Sequence, residues 1–130
     1  MKLEFTWVTG PAGPQATCTV QDASSTDICP LACLLMDDGG LDTSTSLEWL
    51  LEGVARVDAA LSSGRKKSRT DWDREAWGSA VTEVETKVYS LNDEQCTETI
   101  PTLTFRRALL EWMKFVEAGS NLNSVVVDLV

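Results

Sequence analysis

Thr45-Ser46-Leu47-Glu48-Trp49-Leu50-Leu51-Glu52-Gly53-Val54-Ala55-Arg56-Val57-Asp58-Ala59-Ala60-Leu61-Ser62-Ser63-Gly64 carries the clearest period in the chain. Leu47, Leu50, Leu51, Val54, Val57 and Leu61 recur at three- and four-residue spacing, which predicts a helix with one apolar stripe on a core. Thr45-Ser46-Leu47-Glu48 fits a capping box, in which the Thr45 hydroxyl and the Glu48 carboxylate each satisfy a free N–H of the first turn. Gly64 is a natural stop.

On the N-terminal side, Leu3, Phe5 and Trp7 alternate with Glu4 and Thr6, predicting a strand with one buried face. Thr9-Gly10-Pro11-Ala12-Gly13-Pro14 supplies turn chemistry, and Ala16, Cys18 and Val20 alternate in a second strand that pairs with the first as a hairpin. Ile28 to Met36 is apolar on both strand faces and reads as a third strand covered from two sides, with Pro30 near its start. On the C-terminal side, Arg65-Lys66-Lys67-Ser68-Arg69 is the one basic cluster and reads as a solvated loop, with an acidic neighbour or a partner contact as the alternatives. Val84, Thr86 and Val88 alternate with Glu83, Glu85, Lys87 and Tyr89 in another strand, which places Glu83 and Glu85 on its wet side. Cys96 to Leu103 reads as a short strand interrupted by Pro101. Thr104 then caps a second helix with Phe105, Ala108, Leu109, Trp112 and Val116 on its stripe and Gly119 at its end. The tail from Val125 to Val130 adds a last strand or frays.

The order β-β-β-α-β-β-β-α over residues 1–130 predicts one α+β domain, an antiparallel sheet of about five or six strands with two main helices packed on it. A chain of 130 residues buries enough surface to need neither a disulfide nor a metal to hold its core.

Charge excludes more than any motif proves. Eleven Lys plus Arg stand against twenty Asp plus Glu, a formal charge of -9, and there is no histidine. Without His there is no Ser-His or Cys-His dyad, no imidazole base and no His metal ligand. The acidic balance argues against nucleic-acid binding, which draws its affinity from cations on phosphates. No run of about 20 apolar residues exists to span a bilayer. Glu4 interrupts the first apolar residues, so the N-terminus does not read as a secretory signal, and a cytoplasmic location is expected. In that compartment Cys18, Cys29, Cys33 and Cys96 are expected as free thiols. Their spacing holds no Cys-x-x-Cys knuckle for zinc and no thioredoxin-like pair.

No phosphate-cradling glycine motif is present, and Asp37-Asp38-Gly39-Gly40-Leu41-Asp42 lacks the alternating ligands of a calcium loop. Paired acids such as Asp37/Asp38, Asp71/Asp73 and Glu83/Glu85 would need an enclosing cleft to act as a glycosidase acid and base. The expectation is therefore a non-enzyme without a cofactor. The acids are also unevenly spread. Residues from Leu3 to Ala55 hold eight of them and no Lys or Arg, and residues from Asp71 to Glu98 hold eight more against Arg74 and Lys87 alone. Such a surface repels itself but accelerates encounter with a basic partner; the plainer reading is acidity for solubility. Of five tryptophans, Trp112 lies on a helix stripe, Trp49 falls off one, and Trp72 stands between Asp71 and Asp73 as an aromatic anchor ringed by acids.

Leu47-Glu48-Trp49-Leu50-Leu51 ending at Gly64, then Trp72-Asp73-Arg74-Glu75-Ala76, a β-hairpin and the closing run from Leu103 to Val116 together resemble small bacterial immunity proteins. These neutralise the toxin domains of contact-dependent inhibition and related polymorphic toxin systems. The likeness covers residues 43–118 and rests on element order and a helix signature. It implies a cytosolic, non-catalytic binder that occludes the active site of a basic toxin, often a nuclease, through a negative patch. Asp71, Trp72, Asp73, Glu75, Glu83 and Glu85 are the residues expected in that patch. Reversing Glu83 and Glu85 to Lys is then expected to slow association while leaving the fold intact. The rival reading is an accessory or regulatory domain that binds a cellular protein.

Overall fold

A computed structural model describes residues 1–21, 28–64, 69–120 and 124–129. Its elements in order are β1 (Lys2–Gly10), β2 (Gly13–Val20), α1 (Pro30–Met36), α2 (Thr43–Ser62), β3 (Thr70–Asp73), β4 (Trp77–Val81), β5 (Glu85–Ser90), β6 (Thr97–Pro101), α3 (Thr102–Ala118) and β7 (Val125–Asp128). The class is α+β, as the patterning predicts. The seven strands found among the described residues divide between two antiparallel sheets, a three-stranded one in the order β2-β1-β7 and a four-stranded one in the order β3-β4-β5-β6.

The expected hairpin forms with Gly10 opposite Gly13. Gly13 adopts a φ of 112°, a value that L side chains rarely adopt. Val125–Asp128 adds a strand on the other side of β1, with Phe5 opposite Val125 and Leu3 opposite Val127. Leu3 and Phe5 are thereby sealed on the inner face, where Phe5 meets Trp112 edge-on at 5.1 Å and Phe115 at 5.5 Å.

One element differs in kind from its sequence reading. Pro30–Met36 is a helix, not a strand covered on both sides. A short run apolar in every direction satisfies either period, and the deciding feature is Pro30 in the first turn, where its missing N–H is one that a helix leaves unpaired anyway. Cys29 caps that turn, its sulfur accepting from the Ala32 amide at 3.5 Å. α1 packs against β2, β4, β5 and β6, with Leu31, Leu34 and Leu35 fully buried. Each such leucine contributes roughly 1.5–3 kcal/mol.

Two helix starts also move. α2 begins one turn earlier than the Thr45 capping box, because Asp42 is the cap and accepts from the Thr45 amide at 2.7 Å. α3 begins at Thr102 directly after Pro101, ahead of Thr104 and with no side-chain cap. All three helices lie on the inner side of the four-stranded sheet, where Trp72, Val81, Val88 and Ile100 are buried. Alternation then directs Asp71, Asp73, Glu85, Lys87 and Tyr89 to its outer face.

Candidate partner-binding surface

Residues 37–42, between α1 and α2, form a loop held by its own acids. Asp37 Oδ2 accepts from the amides of Ala76 at 2.7 Å and Trp77 at 3.1 Å, which fastens the loop to the β3–β4 turn. Asp38 Oδ1 accepts from the Gly40 amide at 2.9 Å. Asp42 is held below the usual carboxylate range by the Thr45 amide it caps.

Beneath the loop lies Arg74, only 4% exposed. Its guanidinium carbon sits 4.7 Å from the Trp49 ring centre and 5.5 Å from that of Trp72, and Nη2 donates to the Leu35 carbonyl at 3.3 Å. Nε and Nη1 are buried with no hydrogen-bond partner among the described residues. Burial pushes the Arg74 pKa down to about 10, against the pull of Asp37 and Asp38. Cation–π contact with two indoles offsets part of the desolvation.

Glu75 brings the turn back onto the loop. A Cβ built on Gly39 would lie 2.5 Å from Glu75 Oε2 and 3.6 Å from the Trp49 ring, so carboxylate and indole share one small site above a glycine. Trp49 is half-buried, and Glu48 and Glu52 on α2 are exposed beside it in sequence. Trp49, not Trp72, is therefore the partly exposed indole with a carboxylate, that of Glu75, beside it.

Trp72 is the correction: it is 1% exposed, on the inner face of β3 and pressed against Gly53 of α2, so it cannot anchor a partner. Acids on both sides of a tryptophan mark a strand with one wet face, and the aromatic belongs to the dry one. The other five expected residues are exposed or half-buried but do not form one patch. Asp71, Asp73 and Glu85 are on the outer face of the four-stranded sheet, Glu75 is in the β3–β4 turn against the α1–α2 loop, and Glu83 is half-buried in the β4–β5 turn outside any strand. Val84 in the same turn is 60% exposed, so the strand alternation begins only at Glu85. The β3–β4 and β4–β5 turns stand at opposite ends of the five-residue β4, separated by roughly 17 Å of strand.

The outer sheet face is mixed in charge. Arg69 pairs with Asp71 at 2.7 Å, the Tyr89 hydroxyl donates to Asp73 at 3.5 Å, and Arg69, Lys87, Tyr89, Leu91 and Glu94 border a shallow groove over Ala80. Arg69 thus has an acidic neighbour, whereas residues 65–68 of the basic cluster lie outside the described residues. Ion pairs also consume Glu52 with Arg56 and Asp58 with Arg106. In contrast, Asp37, Asp38, Asp42, Glu48 and Glu75 enter none of the ion pairs among the described residues. Among the described residues no helix is long and apolar enough to cross a membrane.

The chain matches no family model, no curated protein and no solved structure.

Sequence reasoning missed Asp38, which keeps the unpaired charge of the loop, although Trp49 was legible as an indole off the helix stripe. The cysteines are free thiols, and burial, with Cys96, Asp37 and Glu98 nearby, raises the Cys33 pKa. Burial pushes Cys18 up to about 12 and Cys29 up to about 11, and Cys29 donates to Glu98 Oε1 at 3.5 Å. Thiols held this far from their thiolates are poor nucleophiles at neutral pH.

Proposed function

We propose that this chain is a non-catalytic immunity protein that binds and neutralises a cognate basic toxin domain, a nuclease in the first instance, by covering its active site in the cytoplasm. The observation that carries the reading is the loop of residues 37–42 with Glu75 and Trp49. Its carboxylates are held by backbone amides or packed on glycine instead of being paired with cations. Their charge stays available to a positive partner, and Trp49 offers the large amphipathic ring typical of binding hot spots. An inhibitor of this kind occupies the surface that would otherwise hold phosphates, which is why its charge is opposite to that of a nucleic-acid binder. Asp73 adds a negative charge on β3, where Asp71 is paired with Arg69, while Glu83 and Glu85 lie at the far end of the sheet.

The test is co-expression with the product of the reading frame immediately upstream, one partner tagged. A stable 1:1 complex that rescues cells from that product is expected, with an on-rate that falls steeply as salt rises. Trp49→Ala is expected to weaken the complex by about 30-fold or more, and Glu75→Lys to slow association more than Glu83→Lys with Glu85→Lys. No complex and no rescue would return the chain to the class of accessory protein-binding domains. Equal effects at both ends of the sheet would remove the loop from the centre of the interface.

A further inference from the structure

α1 crosses the inner face of the four-stranded sheet in a direction that two anchors fix. At its start, Glu98 Oε1 of β6 accepts from the Leu31 amide at 2.8 Å and from the Cys29 thiol at 3.5 Å. At its end, Asp37 Oδ2 accepts from the amides of Ala76 and Trp77. Trp77 stands opposite Ser90, whose own amide donates to the Cys96 carbonyl at 3.0 Å, so the Asp37 anchor and Cys96 belong to the same end of the sheet. The helix therefore runs from Glu98 toward the Cys96 end.

Cys33 lies one helical turn beyond Cys29, its amide donating to the Cys29 carbonyl at 3.0 Å, a step of about 6 Å in that direction. Cys96 precedes Glu98 by two residues and shares its parity and that of buried Ile100, so it faces the helices about 7 Å along the strand in the same direction. Two similar steps from the Cys29–Glu98 contact bring Cys33 beside Cys96. In agreement, Cys96 acts on the charge of Cys33 more strongly than Asp37 or Glu98 does. Cα atoms of α1 and β6 approach within 8 Å, close to the span of about 4.4–6.8 Å that a disulfide bridges. Both thiols are half-buried, whereas Cys18 is only 2% exposed.

We propose that Cys33 and Cys96 form an oxidation site, a dithiol that closes to a disulfide by exchange with a small disulfide such as glutathione disulfide. Burial, with Cys96, Asp37 and Glu98 around it, keeps the Cys33 thiol protonated, so Cys96 reacts first. Its thiolate attacks one sulfur of the glutathione disulfide, forms a mixed disulfide and releases one glutathione thiolate. Cys33 then gives up its proton and displaces the second glutathione. Two cysteine thiols are oxidised to one disulfide, one glutathione disulfide is reduced to two thiols, and both protons pass to them. The dithiol is the resting state in a reducing compartment, and the bridge is its response to oxidation. The bridge fastens the turn of α1 that leads to residues 37–42 onto the connection between β5 and β6.

The test incubates the reduced full chain at low micromolar concentration with excess glutathione disulfide, then counts free thiols by alkylation in denaturant and intact mass. Two of the four thiols are expected to disappear without added glutathione mass, in a chain that stays monomeric on non-reducing electrophoresis. The bridge is expected to persist in Cys18→Ala and in Cys29→Ser, whereas Cys33→Ala is expected to stop at the mixed disulfide on Cys96, and Cys96→Ala to form no bridge. The bridged chain is expected to melt about 5 °C or more above the reduced one, because the link constrains the unfolded chain, and dithiothreitol is expected to reverse the shift. Four free thiols after oxidation, glutathione adducts that never resolve, a disulfide that survives Cys33→Ala or Cys96→Ala, a covalent dimer, or a bridged chain melting no higher than the reduced one would each overturn the proposal.

Discussion

Gly53→Ala in the middle of α2 is expected to destabilise the protein, against the usual effect of that change. In an exposed helix interior, alanine is favoured over glycine by about 0.8–1.0 kcal/mol. Here the new Cβ would lie 2.7, 2.7 and 2.9 Å from three atoms of the Trp72 ring. Ordinary carbon contacts are about 3.5–4.0 Å, so the ring or the helix has to retreat by roughly 0.8 Å. Trp72 has little room for that: it is 1% exposed, its strand is in register with β4, and its carbonyl accepts from the Ser79 hydroxyl at 2.8 Å. Overpacking of this kind costs about 1–3 kcal/mol, and a pinned ring puts the cost in the upper part of that range. After subtracting the helix gain, a net loss of about 1–2 kcal/mol remains, equivalent to a Tm lowered by about 4–7 °C for a chain of this size. Far-UV circular dichroism on heating reads it directly. The same substitution in a Trp72→Phe background, where the smaller ring leaves space, is expected to be neutral or stabilising. A Gly53→Ala single variant melting at or above the parent temperature would refute the close-packing account of this glycine.

Two further perturbations probe the buried charge and the thiols. Arg74→Ala removes the group between Trp49 and Trp72 and is expected to cost about 2–4 kcal/mol in urea unfolding, while Arg74→Met, which fills the same slot without a charge to desolvate, is expected to lie within about 1 kcal/mol of the parent; a methionine variant as unstable as the alanine one would mean that the charge itself holds the loop. The raised pKa values of Cys18, about 12, and Cys29, about 11, mean that the unfolded chain loses these protons first as pH rises above their ordinary value of 9.0. Their contribution is complete below pH 9 and is lost progressively toward pH 11–12. Arg74, with its pKa lowered to about 10, acts in the opposite direction above that value, so stability measured between pH 9 and 10 isolates the thiols. Cys18→Ala is expected to flatten the decline there, and an unchanged slope would assign the decline to other groups.

How much of this was legible depends on whether a residue's role is local. The two long helices, the first hairpin and the class of the fold follow from periods and turn residues that act within a few positions. The helix at Pro30–Met36 escaped because its burial on every side comes from β2, β4, β5 and β6, which erases the periodicity that separates strand from helix. Glu83 and Glu85 share a parity in sequence, yet a turn at residues 82–84 takes Glu83 out of the strand, since the Thr82 amide and hydroxyl both bond the Glu85 carbonyl. Trp72 shows the limit most clearly. Its flanking acids lie on the wet face of β3, and whether the indole between them faces solvent or a helix depends on Gly53, nineteen positions away, giving it room.

The placement of charge gives the functional reading its physical content. On α2 and β3 the acids Glu52, Asp58 and Asp71 are matched by arginines at 2.7 Å, each an exposed pair of small energetic weight that cancels local field. Across the loop of residues 37–42 the chain holds carboxylates in place with amides instead, which fixes their position without neutralising them. The nearest cation, Arg74, is buried beneath two indoles and two of its nitrogens reach no acceptor among the described residues, so it lowers the repulsion between Asp37 and Asp38 from inside without presenting a positive surface. A solubility surface has no need of this arrangement, because mobile acids spread over the molecule serve as well and repel one another less. Binding a basic partner does: acids already fixed by backbone hydrogen bonds lose little freedom on association, and a field that Arg74 cancels only in part acts on the encounter before any contact forms.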